Sequence, residues 1–513
     1  MSAASICILI TIFVYLALVL AVGFQFANKN ESTSDFYLGG RRLGPLVTAM
    51  SAEASDMSSY LLMGLPGLAY LSGVADVGWT IIGLAVGTYF NWLLTARRLR
   101  RYTHLTNSFT LPQFFSRRFK DEKSILAAIA ALIIIIFFVP YTASGFAACG
   151  KLFSSLFGMD YMVAMVISAL VIVGYTAAGG FLAASVTDFI QSIIMTVAIL
   201  FVLIFSTVSA GGIGAVIENA KALPGYLSLT STYSEATASA QPYGLLKIVS
   251  TLAWGFGYFG MPHILLRFMA IENEAKLKLS RRVASVWVVI AMALALLIGL
   301  VGRSMSANGL IASLSGSDTE TVIVRIADLL SNYGIFPALM AGLIMAGILA
   351  STMSTADSQL LAASSSVSQN ILQEAFHLKL SQRASMLTAR LTVVVIAILG
   401  VIIARDPNSS IFGIVSFAWA GFGASFGPLV ICALFWKRTT FPGAVAGMVA
   451  GGVSVFVWKY LIAPMGGVFG IYELLPAFLV GVVVIVVVSL LTKEPGKEIQ
   501  EEFEAAKGNG VIS

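Results

Sequence analysis

Residues 53–60 read EASDMSSY, two carboxylates and three serines set in an apolar run between LGPLVTAM (43–50) and LLMGLPGLAYL (61–71). A charge at bilayer depth is costly and rare, and where it occurs it marks an ion or substrate pathway. The surrounding chain is of the kind in which that cost is felt. It has 513 residues, 58% hydrophobic and 11% charged, with a mean hydropathy of +0.90. Soluble domains carry about 25% charged residues, so the composition belongs to the membrane class. Cys7, Cys149 and Cys432 lie far apart in apolar runs, and His104, His263 and His377 are scattered, so neither a disulfide framework nor a zinc site is indicated. The first apolar run has no Lys or Arg ahead of it and exceeds a signal-peptide core, so it reads as a retained span.

A span needs about 20 mostly apolar residues. Thirteen intervals qualify: 4–26, 43–71, 76–96, 124–153, 159–178, 187–209, 244–265, 283–305, 334–365, 386–404, 411–435, 441–462 and 470–492. With the N-terminus outside, 24 of the 31 basic residues fall on the inner side, which selects N-terminus out and C-terminus cytoplasmic. The net charge of +6 is therefore a topology signal. RRLRRY (97–102) and SRRFKDEK (116–123) anchor the inner face and do not imply nucleic-acid binding. Residues 1–492 form one membrane domain, and 493–513 read as a short cytoplasmic helix that frays. The outer segments 210–243 and 306–333 read as short surface helices or caps.

Three intervals, 43–71, 244–265 and 334–365, are predicted to be interrupted by Gly, Pro or Ser clusters. Broken helices survive in a membrane only where they line a protein-walled cavity, and their freed carbonyls ligate small hard cations. Asp56 adds charge at the first break, while Glu53 reads as an interfacial carboxylate nearer the cytoplasmic end. In 351–370 nine of twenty residues are Ser or Thr, and Ser351, Ser354, Thr355 and Ser358 share one helix face. Such a face suits Na⁺ rather than a transition metal, or else serves close helix packing. In TLAWGFGYFGMPH (251–263), Trp254 and Tyr258 beside a weak helix suggest a wall for a small organic ligand, or an interfacial belt. AWAGFGASFGP (418–428) reads as a hinge or close-packing helix. Gly179 and Gly180 mark a short inner turn, with Asp188 a helix cap or part of an ion exit.

Taken in order, FYLGGRRLGPLVTAMSAEASDMSSYLLMGLPG, YTAAGGFLAASVTDFIQ, WGFGYFGMPHILLRFM, STMSTADSQLL and WAGFGASFGPL resemble the sodium:solute symporter family, and in particular its proline-transporting members, in register from about residue 10 to 492. The resemblance implies an all-α polytopic fold with a LeuT-type core: two inverted five-helix repeats, at about 43–209 and 244–435, whose first and sixth helices are broken. It implies Na⁺ bound by the carbonyls of Ala54, Met57 and Ser351 and the hydroxyls of Ser354 and Thr355. Asp56 matches a position needed for sodium-dependent function. Ser58 matches one tied to sodium and proline, and Tyr141, Trp254 and Tyr258 match the substrate pocket. Arg41, Asp188 and Arg267 match inner-side coupling or gating positions. Glu53 stands where a small residue is expected. Asp357 replaces a serine, at a level where some relatives bind a second sodium near the position of Asp188.

The chain is thus expected to be a sodium-coupled symporter of the bacterial inner membrane. It would import a small zwitterionic amino acid, L-proline, by alternating access, with Na⁺ as coupling ion and no other cofactor. Another small solute (a different amino acid, a carboxylate or a sugar acid) is the alternative substrate. A channel would need a continuous polar pore, whereas the polar interruptions are local. No HExxH, GxSxG or GxxxxGK[ST] segment supports an enzyme or a nucleotide site.

Overall fold

The computed structural model describes residues 2–27 and 33–508; Lys29, counted above among the inner cations, and the last five residues of the tail lie outside them. Helix α1 (Ala3–Ala27) carries no charge. After α2 (Thr33–Leu38) the chain turns through Gly39, Gly40 and Arg41, all at positive φ, and enters α3 (Pro45–Ser59). Pro45 suits a first helical turn, where its missing N–H has no partner to lose. A π-helical turn, Tyr60–Gly64, then leads to α4 (Leu65–Ser72). A second π-helical turn, Asn91–Thr95, joins α5 (Val74–Phe90) to α6 (Ala96–Leu105). α7 (Leu111–Arg118) is capped by Thr110 and precedes α8 (Ile125–Phe157).

The expected spans 159–178 and 187–209 are fused into one 49-residue helix, α9 (Tyr161–Ser209), with an elbow at Gly180 (φ 70, ψ −178). Only glycine takes that conformation without strain. The turn expected there shrinks to this elbow, and Asp188, well inside the following helix, does not cap it. Beyond α10 (Ile213–Ala222) lies the one β-sheet among the described residues: an antiparallel hairpin, β1 (Ser231–Ser234) with β2 (Ser239–Pro242). Tyr226 fastens this outer cap to α4 by donating to the carbonyls of Ala69 and Tyr70, at 2.8 and 3.0 Å.

The second interrupted segment runs from α11 (Leu245–Leu252) through a 3₁₀ turn, Ala253–Phe259, to α12 (Pro262–Ala270). Then come α13 (Leu277–Ala307), α14 (Val322–Ser331) and α15 (Ile335–Ser365). Here the structure corrects the sequence reading, because α15 is unbroken. Its hydroxyls turn back on their own helix: Ser351 and Thr352 donate to the Ile348 carbonyl, Thr355 to Ser351 and Ser358 to Ser354, at 2.8–3.1 Å. Satisfied in this way, they follow the helix instead of competing with it. The irregularity comes only afterwards, in the π-helical stretch Ser366–Ala375.

α16 (Gln382–Ile403), α17 (Ile411–Phe435), α18 (Phe441–Val457) and α19 (Leu474–Leu491) complete the bundle. α17 is a continuous close-packing helix, not a hinge: a Cβ at Gly257 would overlap its Trp419 indole, and one at Gly260 its Phe422 carbonyl. Ten of the described helices are long and apolar enough to cross a membrane. The other three expected spans, 43–71, 159–178 and 244–265, hold the interrupted or shorter helices. The tail helix α20 (Lys497–Lys507) docks instead of fraying. Its Phe503 is buried under the Arg118 guanidinium, and Lys120 pairs with both Glu498 and Glu502.

A buried ion pair that sequence patterning did not reveal ties three elements together. Lys151 of α8 lies 2.8 Å from Glu320, just before α14. The Glu320 carboxylate also accepts from Ser410 Oγ and from the Ile411 and Phe412 amides, at 2.9–3.0 Å, so it caps α17. Removing one partner of a buried pair strands the other, at a cost of about 3–5 kcal/mol. Glu320→Ala is therefore expected to lower stability by that amount in thermal unfolding of the detergent-purified protein. An unchanged melting temperature would show that this pair does not lock the outer face.

Candidate functional site

The site grows from the break in α3. Ser58 has φ 44 and ψ −169, a conformation strained for any residue but glycine by about 1–3 kcal/mol. Its Oγ accepts from the Tyr60 amide at 3.1 Å, which steadies the bend. Across the break stands the regular helix α15. Ser354 Oγ donates to the Ala54 carbonyl at 2.8 Å and lies 3.3 Å from the Ser351 carbonyl, which also accepts from Thr355 Oγ1 at 3.1 Å. Four of the five oxygens expected to hold Na⁺ thus form one buried chain of contacts between residues 300 apart in sequence. The fifth, the Met57 carbonyl, lies at the bend itself and accepts from the Tyr60 amide. The set is all oxygen, with no sulfur or nitrogen, which fits a hard alkali cation. Either hydroxyl needs only to rotate its hydrogen away to present a lone pair.

Beside these oxygens is a narrow pocket of about 10 Å³, room for about one water, walled by Asp56, Tyr60, Tyr141, Trp254 and Trp419, with Leu84, Met292 and Val415 as apolar lining. Tyr60 stacks on Trp254 (centroids 5.6 Å apart), and Trp254 on Tyr472 (5.0 Å). Tyr141 donates to the Asp56 carbonyl at 3.2 Å, and Tyr258 to the Asp56 carboxylate at 2.6 Å. Of the expected pocket residues, Tyr141 and Trp254 line the cavity. Ser58 and Tyr258 stand behind its wall and act on it through the bend and through Asp56. Tyr60 and Trp419 line it without having been anticipated as ligands. Their signals were present in the sequence, one residue directly after the SDMSS break and the other inside the Gly/aromatic run at 418–428.

The inner-side residues divide into two groups. Arg267 donates to Asp188 (3.0 Å), Ser358 (2.6 Å), Ser51 (3.0 Å) and the His263 carbonyl (2.9 Å), so one guanidinium joins α3, α9, α12 and α15. Asp357 belongs to the same knot, its Oδ1 accepting from Ser358 at 3.1 Å. Arg41 is elsewhere. It holds the carbonyls of Thr103, Ser108 and Met269 at 2.7–2.9 Å and braces the inner loops. Glu53 is not interfacial: it is buried, with Oε1 accepting from Trp92 Nε1 at 3.1 Å. The α5–α6 segment covers it, a tertiary contact that no local pattern announces.

A family model described as Sodium:solute symporter family matches residues 36–451. A sodium/proline symporter of Haemophilus influenzae is 42% identical over 504 residues, covering 97% of both chains. One of Staphylococcus aureus is 39% identical, covering 97% of this chain and 95% of its own. Among solved structures, a Na⁺-coupled sialic acid symporter in a substrate-bound outward-open state aligns with a TM-score of 0.77 at 19% identity, over 96% of this chain and 99% of its own. A nucleobase-cation-symport-1 family transporter in a closed conformation aligns at 0.50 and 14%, over 93% and 99%. These two likenesses concern the fold, a LeuT-type core.

Tyr258→Phe removes the one side-chain donor on the Asp56 carboxylate among the described residues without changing the ring. Leaving a buried acceptor bare costs about 1–3 kcal/mol. The variant is expected to melt lower and to lose part of the protection that Na⁺ gives the wild type. A melt and a Na⁺ response identical to wild type would detach Tyr258 from the site.

Proposed function

Since this chain belongs to the sodium:solute symporter family, we propose that it carries L-proline into a bacterial cell together with Na⁺. The observation that supports this most is the junction of the broken α3 with α15, next to an aromatic-walled cavity. Na⁺ takes the carbonyls of Ala54, Met57 and Ser351 and the hydroxyls of Ser354 and Thr355. Asp56 lies between ion and cavity, so its charge favours both the cation and the ammonium of a zwitterion. The Trp254 and Trp419 rings pack the pyrrolidine, and the open end of the π turn at Tyr60 offers dipoles to the carboxylate.

Na⁺ binding ties the bend to α15 and thereby sets the walls formed by Asp56, Met57 and Tyr60. By linkage each ligand raises the affinity for the other. One charge falling through 100 mV yields about 2.3 kcal/mol, and a tenfold Na⁺ gradient about 1.4 kcal/mol. One Na⁺ per cycle then sustains proline accumulation on the order of several hundredfold. The Lys151–Glu320 pair closes the outer side and the Arg267 knot the inner side, so alternating access means opening one while the other holds. The positive-inside bias supports an N-terminus outside and a C-terminus in the cytoplasm. Proline is favoured over other small solutes by the names of the two relatives at 39–42% identity.

Uptake of labelled proline into proteoliposomes is expected to require an inward Na⁺ gradient and to saturate in both solutes. Ser354→Ala should raise the Na⁺ half-saturation about tenfold, the equivalent of one charge-assisted contact. Trp254→Ala should weaken proline more than Na⁺. Equal uptake with K⁺ replacing Na⁺ would refute sodium coupling, and saturable Na⁺-driven uptake of a different solute would refute proline.

A further inference from the structure

On the face that the proposed topology turns to the cytoplasm, the tail helix α20 lies across a seam. Its apolar residues Phe503 and Ala506 are buried, Phe503 with its ring 5.2 Å from the Arg118 guanidinium. Arg118 is itself buried where α7 meets α17, its Nε donating to the Ala433 carbonyl at 2.9 Å. Glu498 lies 3.0 Å from the Lys120 ammonium, with which Glu502 also pairs. These contacts fasten one side of α20 to α7 and α17. Its far end is held by α6. Arg101 Nη1 donates to the Lys507 carbonyl at 3.0 Å, so a cation closes the last turn, where the helix dipole favours one. The same guanidinium grips both oxygens of Glu274, at 2.6 and 2.7 Å, in the link between α12 and α13.

The two sides of this seam belong to different parts of the transport core. On one side, the inner ends of both broken helices are stitched together: the Leu43 amide donates to the Ala270 carbonyl at 3.2 Å and the Glu272 amide to the Leu43 carbonyl at 3.0 Å. Arg41 holds the Met269 carbonyl at 2.8 Å, and Arg100 of α6 holds the Ile271 carbonyl at 2.9 Å, so α6 is bound to the stitch. On the other side, α7 is tied to the π-helical end of α15: Gln113 donates to Glu374 at 2.7 Å and Asn370 to Thr110 at 3.1 Å. Arg98 of α6 also crosses the seam, donating to the Leu434 carbonyl of α17 at 2.9 Å. Deeper in, the Arg267 knot holds α3 and α12 to α9 and α15.

We propose that α20 is a strap over the inner gate. Opening the inner side draws α3 and α12 away from α15, and with them the Arg101–Glu274 corner away from Lys120 and Arg118. Docked, α20 joins those points and resists the parting; undocked, it lets the inner side open. Its contacts lie on the loops and not on the ion oxygens or the aromatic pocket, so it biases the balance of outward-open and inward-open forms rather than ligation. An exposed ion pair such as Lys120–Glu498 holds weakly, which leaves the buried Phe503 as the main anchor and the strap ready to release. This rests on the symporter reading above and adds to it a control on discharge to the inside. A site competent in only a fraction of molecules binds more weakly by that fraction, so freeing the strap weakens Na⁺ binding from outside.

Right-side-out membrane vesicles holding the full-length protein test it, through Na⁺-driven uptake of labelled proline and efflux of preloaded proline. Phe503→Asp is expected to raise the outside Na⁺ half-saturation about fivefold, a modest coupling, and to speed efflux, with the proline half-saturation at saturating Na⁺ unchanged. Lys120→Glu should shift both readouts the same way by about twofold. Adding Glu498→Lys and Glu502→Lys should bring both back, which a folding defect would not allow. Wild-type Na⁺ half-saturation and efflux in Phe503→Asp overturn the strap, as does a Lys120→Glu defect that the two compensating substitutions leave in place. If Phe503→Asp fails to reach the membrane, the Lys120→Glu series decides: there, unchanged kinetics or an unrestored defect overturns the strap. Wild-type uptake that needs no Na⁺ would instead overturn the symporter reading.

Discussion

The hydrogen bond from the Ser354 hydroxyl to the Ala54 carbonyl is where two dissimilar helices meet. One is bent at Ser58 and has carbonyls to spare; the other is whole and has hydroxyls to lend. In a membrane every backbone polar group must find a partner, so the bend in α3 depends on what α15 presents to it. Under the proposed function, a Na⁺ ion held by those same oxygens would do the same work more strongly. The strain at Ser58, the aromatic cavity beside it and the coupling of two solutes all follow from that dependence.

Both faces of the junction are held by a buried charge. On the inner side Arg267 gathers four helices around Asp188. On the outer side Glu320 couples Lys151 to the start of α17, whose Phe412 ring stacks on Tyr60 of the cavity wall at 5.7 Å. The two locks differ in kind. The outer one is an ion pair with its hydrogen bonds complete. The inner one places Asp188 and Asp357 around a single guanidinium and leaves Asp188 Oδ1 and Asp357 Oδ2 unbonded.

Much of this was legible in the residues. The helical membrane class followed from composition, and all thirteen expected spans fall on helix. The break at EASDMSSY followed from polar residues in an apolar run, and the resemblance brought Ala54 and Ser354 together, as the structure does. What stayed hidden was tertiary. Whether a Ser/Thr-rich helix breaks depends on where each hydroxyl finds an acceptor, and in α15 they find their own helix. Glu53 looked interfacial because nothing local shows that Trp92 covers it. The Lys151–Glu320 pair left no local signal, since it spans 169 residues. The docking of α20 depends on Arg118 and Lys120, which serve equally well as topology anchors in the sequence.

Amide hydrogen exchange across residues 52–62, in Na⁺ and in an equal concentration of K⁺, measures the central junction most directly. Na⁺ should slow exchange at the bend by at least tenfold, and Ser354→Ala should abolish most of that protection while the rest of α3 stays unchanged. Equal exchange at the bend in both salts, or protection that survives loss of the Ser354 hydroxyl, would contradict a cation shared between α3 and α15.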